Sequence, residues 1–130
     1  EFYILAKSGE MMFYISNKDS LNDENSSKLL TASYLTGVLQ FAQAVSNDII
    51  SNFEMGKLDI WLKMGHDFPL YYVYIVGKDV KIRQKKIDKR LSNIIEEFES
   101  RYSDDEINKW DGNQNTFDDF MPIAKKVLKL

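Results

Sequence analysis

Two segments of this sequence would be apolar on both faces of an extended strand, and this feature limits the fold more than any other. Residues 70–76, "LYYVYIV", run for seven positions without a charge. Residues 2–7, "FYILAK", are apolar or aromatic at every position before the final lysine. Strands of this kind usually lie inside a sheet that is covered on both sides. The sequence therefore predicts a sheet between two further layers.

Three more segments predict the remaining strands. Residues 11–16 form a short apolar run, and only a turn around Gly9 separates them from the first strand, which predicts a hairpin. Residues 49–55 and 58–64 are joined through a Gly-Lys pair that suits a type II′ hairpin. In 58–64, apolar residues occupy every second position, the period of a half-buried strand. The five strands predict one mostly antiparallel sheet.

Helical periodicity predicts the covering layers. Apolar residues at spacings of three and four begin at Leu30 and predict a helix that ends near Ser46. Residues 80–102 carry a second stripe, and a last helix is predicted to begin between Thr116 and Asp119. The expected fold class is α+β, an α/β three-layer sandwich with the order β-β-α-β-β-β-α-α. One helix would cover one face and two helices the other, in a single domain spanning 1–130.

The composition excludes several classes of site. The 130 residues include no cysteine, so a disulfide framework, a thiolate nucleophile and a cysteine-based zinc site are excluded. The net charge of -3 gives no overall basic field that would attract nucleic acid. No apolar run reaches the roughly 18 residues of a membrane span, and nothing resembles a signal peptide. We therefore expect a cytoplasmic protein without a cofactor.

Residues 7–10, Lys-Ser-Gly-Glu, are of the types found in phosphate loops and nucleophilic sites. A phosphate loop needs several glycines followed by a helix, whereas this stretch has one glycine and then a strand. A serine nucleophile needs a base, and the only histidine, His66, lies far away in the sequence. We interpret the stretch as a hairpin turn.

Two other loops carry groups that could take part in chemistry. His66 adjoins Asp67 and could form a proton-transfer pair with it, but an exposed loop residue is the simpler interpretation. Residues 111–120 begin like a calcium loop, yet Thr116 replaces the required glycine and Pro122 replaces the bidentate glutamate. The sequence predicts no catalytic residue and no metal site, and hence a protein that is not an enzyme.

Residues 81–90 hold six basic residues against one acid. They could form a patch for an anionic lipid, a nucleic acid or an acidic partner, or simply the solvated face of a helix. No aromatic residue interleaves with the charges, which disfavours nucleic acid. The candidate basic residues are Lys81, Arg83, Lys85, Lys86, Lys89 and Arg90.

A second apolar stripe lies opposite the core stripe of the predicted first helix. It consists of Ala32, Leu35 and Leu39. A helix that covers one sheet face should be polar on its outer side, so the stripe predicts a partner surface. Scattered exposed apolar residues are the alternative, and these need no special explanation.

The opening stretch "YILAKSGEMMFYI" resembles the first hairpin of longin domains and their roadblock relatives. The predicted order of elements is similar to the longin arrangement over nearly the whole chain. Roadblock domains carry a helix before the first strand and end with one helix, so the chain is more similar to longin domains. More loosely, it resembles the longin-like proteins of archaea that encode eukaryote-like trafficking components.

The resemblance implies a non-enzymatic interaction module. Longin and roadblock domains pair with themselves or with one another, and such pairs often serve as platforms for small GTPases in vesicle trafficking and signalling. Their usual contact surfaces are the first helix and a sheet edge. We therefore expect a homodimer or heterodimer that binds or regulates a small GTPase. Two alternatives stay open, namely a small-molecule sensor of the PAS or profilin kind, and an adaptor that contacts an anionic membrane or nucleic acid through residues 81–90.

Overall fold

The fold is an antiparallel five-stranded sheet with helices packed on it, described in a computed structural model for residues 1–6, 10–16, 50–113 and 115–129. The strands are β1 (Phe2–Ala6), β2 (Met11–Ile15), β3 (Ser51–Met55), β4 (Leu58–Met64) and β5 (Leu70–Gly77). The described helices are α1 (Gln84–Arg101), α2 (Asp104–Asn108) and α3 (Met121–Leu128), with a 3-10 turn at Asp118–Phe120. The α+β class predicted from the sequence is confirmed.

The strand order across the sheet is β2-β1-β5-β4-β3, and every neighbouring pair is antiparallel. The two segments that are apolar on both faces, β1 and β5, lie inside the sheet and pair with each other. Their register runs from Phe2 opposite Tyr74 to Ala6 opposite Leu70. The sequence prediction of interior strands is therefore confirmed, because both faces of β1 and β5 are buried.

The hairpin between β3 and β4 has the predicted two-residue turn. Met55 lies opposite Leu58, and Gly56 has a φ of 60°. A positive φ at the first turn residue is what a type II′ turn requires, and glycine adopts it without steric cost. The turn around Gly9, between β1 and β2, lies outside the described residues.

A β-bulge interrupts the pairing of β1 with β2. Ile4 lies opposite Phe13 while Leu5 lies opposite Met11, so Met12 is an extra residue on β2. Its side chain is buried in the same apolar cluster as that of Phe13. The bulge therefore turns two successive residues of β2 towards one face of the sheet.

Two apolar clusters lie on opposite faces of the sheet. The first joins the strands to all three described helices, and Phe98 of α1 sits at its centre, with ring centroids 5.4 Å from Phe117 and 5.1 Å from Phe120. The second cluster occupies the other face and consists of Tyr3, Leu5, Ile60, Leu62, Tyr71, Val73 and Ile75. Both faces of β1 and β5 are thus buried, as strands that are apolar on both faces require.

The boundaries of α1 differ from the predicted helix at 80–102. The helix begins at Gln84, four residues later, because the chain turns after β5, where the Val80 N–H donates to the Gly77 carbonyl at 3.0 Å. Residues 81–83 have no regular secondary structure, and Arg83, at the N-cap, is extended. Lys81 and Arg83 therefore precede the helix on which the sequence analysis placed them.

The sequence analysis missed α2. The Ser103 hydroxyl accepts a hydrogen bond from the Glu106 N–H at 3.2 Å, and the Glu106 carboxylate accepts one from the Ser103 N–H at 3.2 Å. This is a capping box, and its S-x-x-E pattern was present in the sequence as a signal. Three described helices therefore follow β5, where two were predicted.

The last helix starts later than predicted. The helix was predicted to begin between Thr116 and Asp119, and a 3-10 turn at 118–120 overlaps that range. Helix α3 itself begins at Met121, and Pro122 lies in its first turn, where proline is tolerated. The predicted first helix, from Leu30 to Ser46, lies outside the described residues.

Candidate functional surface

Lys63 is a buried lysine on the sheet face below α1. Its ammonium donates hydrogen bonds to Asp88 Oδ1 at 2.9 Å and to Ser92 Oγ at 2.7 Å, and its side chain is 8% exposed. Asp88 and Ser92 are one turn apart on α1, so both side chains reach the same ammonium. A buried charge needs such partners, and these contacts fix α1 over β4.

The loop at residues 65–69 wraps around the carboxylate of Glu99. The backbone N–H groups of His66, Asp67 and Phe68 donate to it at 3.2, 2.8 and 3.2 Å. A Cβ atom at Gly65 would lie 2.7 Å from the Phe68 carbonyl oxygen and 3.0 Å from Glu99 Oε1, so the close wrap requires glycine at that position. The loop therefore attaches the turn between β4 and β5 to the C-terminal half of α1.

His66 lies exposed in this loop, and its backbone N–H serves the Glu99 carboxylate. The neighbouring Asp67 is also exposed and binds the same carboxylate through its own N–H. The structure therefore gives this pair a role in shaping the loop, which agrees with the simpler of the two sequence interpretations.

The Tyr72 hydroxyl is buried beneath α1. The side chain is fully buried, and the hydroxyl has no hydrogen-bond partner among the described residues. Burial raises the pKa of Tyr72 well above its ordinary value, and the negative charge of Glu99 raises it further. The phenol is therefore neutral. Its hydroxyl forms no hydrogen bond of ordinary geometry, but the Glu99 carboxylate lies close enough for a hydrogen-bond contact that also raises the pKa of Tyr72.

Asp119 connects the end of α1 to the turn before α3. Its carboxylate accepts a hydrogen bond from the Tyr102 hydroxyl at 2.5 Å and one from Arg101 Nη2 at 3.2 Å. The bond from Tyr102, and then the one from Arg101, lowers the pKa of Asp119. Burial raises the pKa of Tyr102, and its bond to the Asp119 carboxylate raises it further. These contacts hold the end of α1 against the 3-10 turn that precedes α3.

In the loop at residues 111–115, which begins like a calcium site, polar side chains accept hydrogen bonds from backbone N–H groups of the same loop. Asp111 Oδ1 accepts from the Asn113 N–H at 3.0 Å, and Asn113 Oδ1 accepts from the Asn115 N–H at 2.9 Å. These are successive Asx turns, which account for the alternating polar residues. Within the described part of the chain, no group of three or more histidine, aspartate or glutamate side chains is placed to hold a metal ion.

Exposed basic residues lie on the β3–β4 turn, on the connection from β5 to α1 and on the first two turns of α1. Leu58 lies opposite Gly77, and the Lys78 N–H donates to the Lys57 carbonyl at 2.9 Å, so the β3–β4 turn lies beside the connection from β5 to α1. We call this surface the basic end. Its members, all exposed, are Lys57, Lys78, Lys81, Arg83, Lys85, Lys86 and Lys89.

The basic end contains five of the six basic residues proposed from the sequence. Arg90 is the exception, because it is half-buried and its Nη1 donates to the Tyr74 hydroxyl at 3.3 Å. Its Nε atom is buried without a hydrogen-bond partner in the described part of the chain. Arg90 therefore belongs to the packing of α1 on β5, and we remove it from the candidate patch.

The start of α1 is electrostatically unfavourable for the isolated helix. Its first turn holds no acidic residue, and Arg83 provides no side-chain cap. Lysines at a helix start oppose the helix dipole, at a cost of a few tenths of a kcal/mol, up to about 1 kcal/mol. Because the lysines at the start of α1 slightly destabilise the fold, they are candidates for binding a partner.

Sequence reasoning did not assign Lys57 and Lys78 to the basic patch. Each is a single lysine next to a turn glycine, which is an ordinary surface position. Only the pairing of β4 with β5 brings Lys57 next to Lys78, at the start of the connection that leads to residues 81–89. The other predicted surface, formed by Ala32, Leu35 and Leu39, lies outside the described residues, as do residues 7–9.

No family model matches this chain, and no curated protein matches its sequence significantly. None of the described helices has the length and apolar character needed to cross a membrane. The longin resemblance therefore depends on the sequence features given above.

Proposed function

We propose that the chain is a cytoplasmic, non-enzymatic interaction module of the longin kind. In this proposal it pairs with a second copy or with a related domain, and it binds or regulates a small GTPase in trafficking or signalling. The α+β fold, with one antiparallel sheet buried on both faces, supports the proposal. Any effect on nucleotide turnover would come from shaping the GTPase, without chemistry supplied by this chain.

The observation that carries the proposal is how the described polar side chains are used. Glu99 binds three backbone N–H groups, Lys63 anchors α1, and Asp119 joins α1 to the turn before α3. Asp111 and Asn113 form turns in their own loop. Because these groups hold elements of the fold together, the described part of the chain offers surfaces for contact in preference to a reaction centre.

The pairing surface in this proposal is the stripe of Ala32, Leu35 and Leu39. The sequence places these residues on the side of the predicted first helix that faces away from its core stripe. An apolar stripe on an outer helix face is a common feature of surfaces that bind another protein. The GTPase would bind the paired module, as the longin resemblance implies.

The direct test titrates a purified small GTPase into the purified chain in solution. Titration calorimetry with the GDP-bound and GTP-analogue-bound forms should show saturable binding that differs between them, with no nucleotide hydrolysis by the chain alone. Leu35→Glu combined with Leu39→Glu should weaken the binding at least tenfold. The matched control, Thr36→Glu with Gln40→Glu, adds the same charge at polar positions of the same predicted helix and should retain it. Equal binding by all variants, or none to either nucleotide form, would overturn the proposal.

A further inference from the structure

We propose that the basic end docks on an anionic membrane surface, with the Val80 side chain entering the lipid interface. This goes beyond the proposed function, because neither pairing nor GTPase binding requires it. The chemistry is that of a peripheral contact, in which lysines attract acidic headgroups and one apolar side chain adds burial.

Val80 is the first observation behind this proposal. Among the described residues it is the one large apolar side chain that is exposed, at 47%. The hydrogen bond from its N–H to the Gly77 carbonyl closes a turn at the tip of the β5–α1 connection. Lys81 follows it directly and Lys78 lies two residues before it, with Asp79 between, so the exposed valine lies in a segment with two lysines and one acid.

The charge balance of the basic end is the second observation. Of the acids nearby, Glu54 is paired with Lys78 at 2.9 Å and Asp88 with the buried Lys63 at 2.9 Å. Among the described residues, Asp59, Asp79 and Glu1 are the other acids of this region; the Glu1 carbonyl accepts a hydrogen bond from the Ile75 N–H at 2.8 Å, two residues before Gly77. Five lysines and Arg83 form no ion pair with any described residue, so an excess of positive charge faces solvent.

The residue types favour a membrane over a nucleic acid or an acidic protein. Six of the seven basic residues are lysines, whose compact and strongly hydrated charge suits diffuse attraction, whereas paired recognition of single phosphates or carboxylates favours arginine. The two turns at 56–57 and 77–83 contain no aromatic residue on which a base could stack. An exposed valine in this setting is better suited to an acyl-chain boundary than to a polar partner.

The overall negative charge of the chain does not prevent this contact. Exposed charges act over about 10 Å at moderate salt, so an anionic surface responds mainly to the nearest part of the protein. Residues 96–119 hold nine acids against two bases, and Glu99 lies against the loop at the other end of β4 and β5. Repulsion of this acidic segment would direct the basic end towards the membrane.

Vesicle sedimentation with the full chain tests the proposal. The protein should partition onto vesicles of phosphatidylcholine mixed with phosphatidylserine, and not onto phosphatidylcholine alone. Binding should disappear at about 1 M salt, where the screening length falls to about 3 Å. Each removed lysine should weaken partitioning about fivefold, so Lys81→Gln with Lys85→Gln should weaken it by more than tenfold.

Two further variants distinguish docking from general attraction. Lys109→Gln with Lys125→Gln removes the same charge from exposed positions on or next to α2 and α3, outside the basic end, and should leave partitioning within about twofold. Val80→Ser keeps every charge and should weaken partitioning several-fold. No binding to acidic vesicles at low salt, or equal losses for both lysine pairs, would overturn the proposal. Binding to RNA or to polyglutamate but not to vesicles would overturn it in favour of that partner.

Discussion

Replacing Glu99 by alanine should release the loop between β4 and β5 from α1. The Glu99 carboxylate accepts hydrogen bonds from three successive backbone N–H groups, those of residues 66–68. Alanine would leave all three donors without their acceptor. The first two bonds are exposed and the third is partly buried, so water can replace the acceptor at His66 and Asp67 more easily than at Phe68.

The size of the effect follows from these contacts. A hydrogen bond to a charged group contributes about 1.5–3 kcal/mol when it is shielded and less when water competes. One partly buried bond and two exposed ones therefore give a loss of about 2 kcal/mol in the free energy of unfolding. For a chain of this length, that corresponds to a melting temperature lower by about 8 °C.

Urea unfolding followed by tryptophan fluorescence measures this loss, and amide hydrogen exchange locates it. Exchange at residues 66–68 should become faster in Glu99→Ala, while the interior strands stay protected. Glu96→Ala removes an equal charge from an exposed position of the same helix and should stay within about 0.5 kcal/mol of the wild type. Glu99→Gln keeps one oxygen acceptor and should lie between the two. Equal stability of Glu99→Ala and Glu96→Ala, with unchanged exchange at 66–68, would show that the bonds to Glu99 do not stabilise this loop.

Three further predictions follow from the other polar contacts. Asp88→Ala leaves the buried Lys63 ammonium with Ser92 as its remaining partner and should lower the free energy of unfolding by about 1–2 kcal/mol. Lys63→Met removes the buried charge and should lower it by less. A larger loss in Lys63→Met than in Asp88→Ala, measured by chemical unfolding, would contradict this. Tyr72→Phe removes a buried hydroxyl that forms no hydrogen bond of ordinary geometry and should be neutral or stabilising by up to about 1 kcal/mol. A clear loss of stability would show that the contact of this hydroxyl with the Glu99 carboxylate stabilises the fold. Because the folded pKa of Asp119 lies below its ordinary value of 3.8, its contribution is present above that value and is lost as the pH falls through the folded pKa. The stability difference between wild type and Asp119→Asn, less than about 1 kcal/mol because the carboxylate is exposed, should shrink between about pH 5 and pH 2; a difference that grows on acidification would contradict the assignment.

The sheet was predictable because its strands carry local signals. The uncharged run from Leu70 to Val76 and the glycine turn at Gly56 each act within a few residues, so sequence order alone reveals them. The start of α1 was less predictable, since Val80 and Ile82 continue the apolar pattern up to the turn after β5. Helix α2 has a capping signal in the sequence, Ser103 followed by Glu106. The signal is easily overlooked because Glu106 belongs to a run of acidic residues.

The candidate surface depended on contacts that no local pattern contains. Lys63 occupies the apparently polar side of an alternating strand, but α1 covers that side and brings Asp88 from 25 residues further along the chain. The role of Glu99 depends on a loop 31 to 33 residues earlier. The exposed lysines of residues 81–89 were predictable as charges, whereas their grouping with Lys57 around Val80 required the strand order.

The proposed pairing through Ala32, Leu35 and Leu39 predicts a molar mass in solution that light scattering can measure. Light scattering over a concentration series should give about twice the 15.2 kDa of one chain for the wild type. Leu35→Glu with Leu39→Glu should return the mass to that of one chain while the circular dichroism spectrum and melting transition persist. A wild-type chain that stays at 15.2 kDa at the highest concentration would contradict pairing with a second copy.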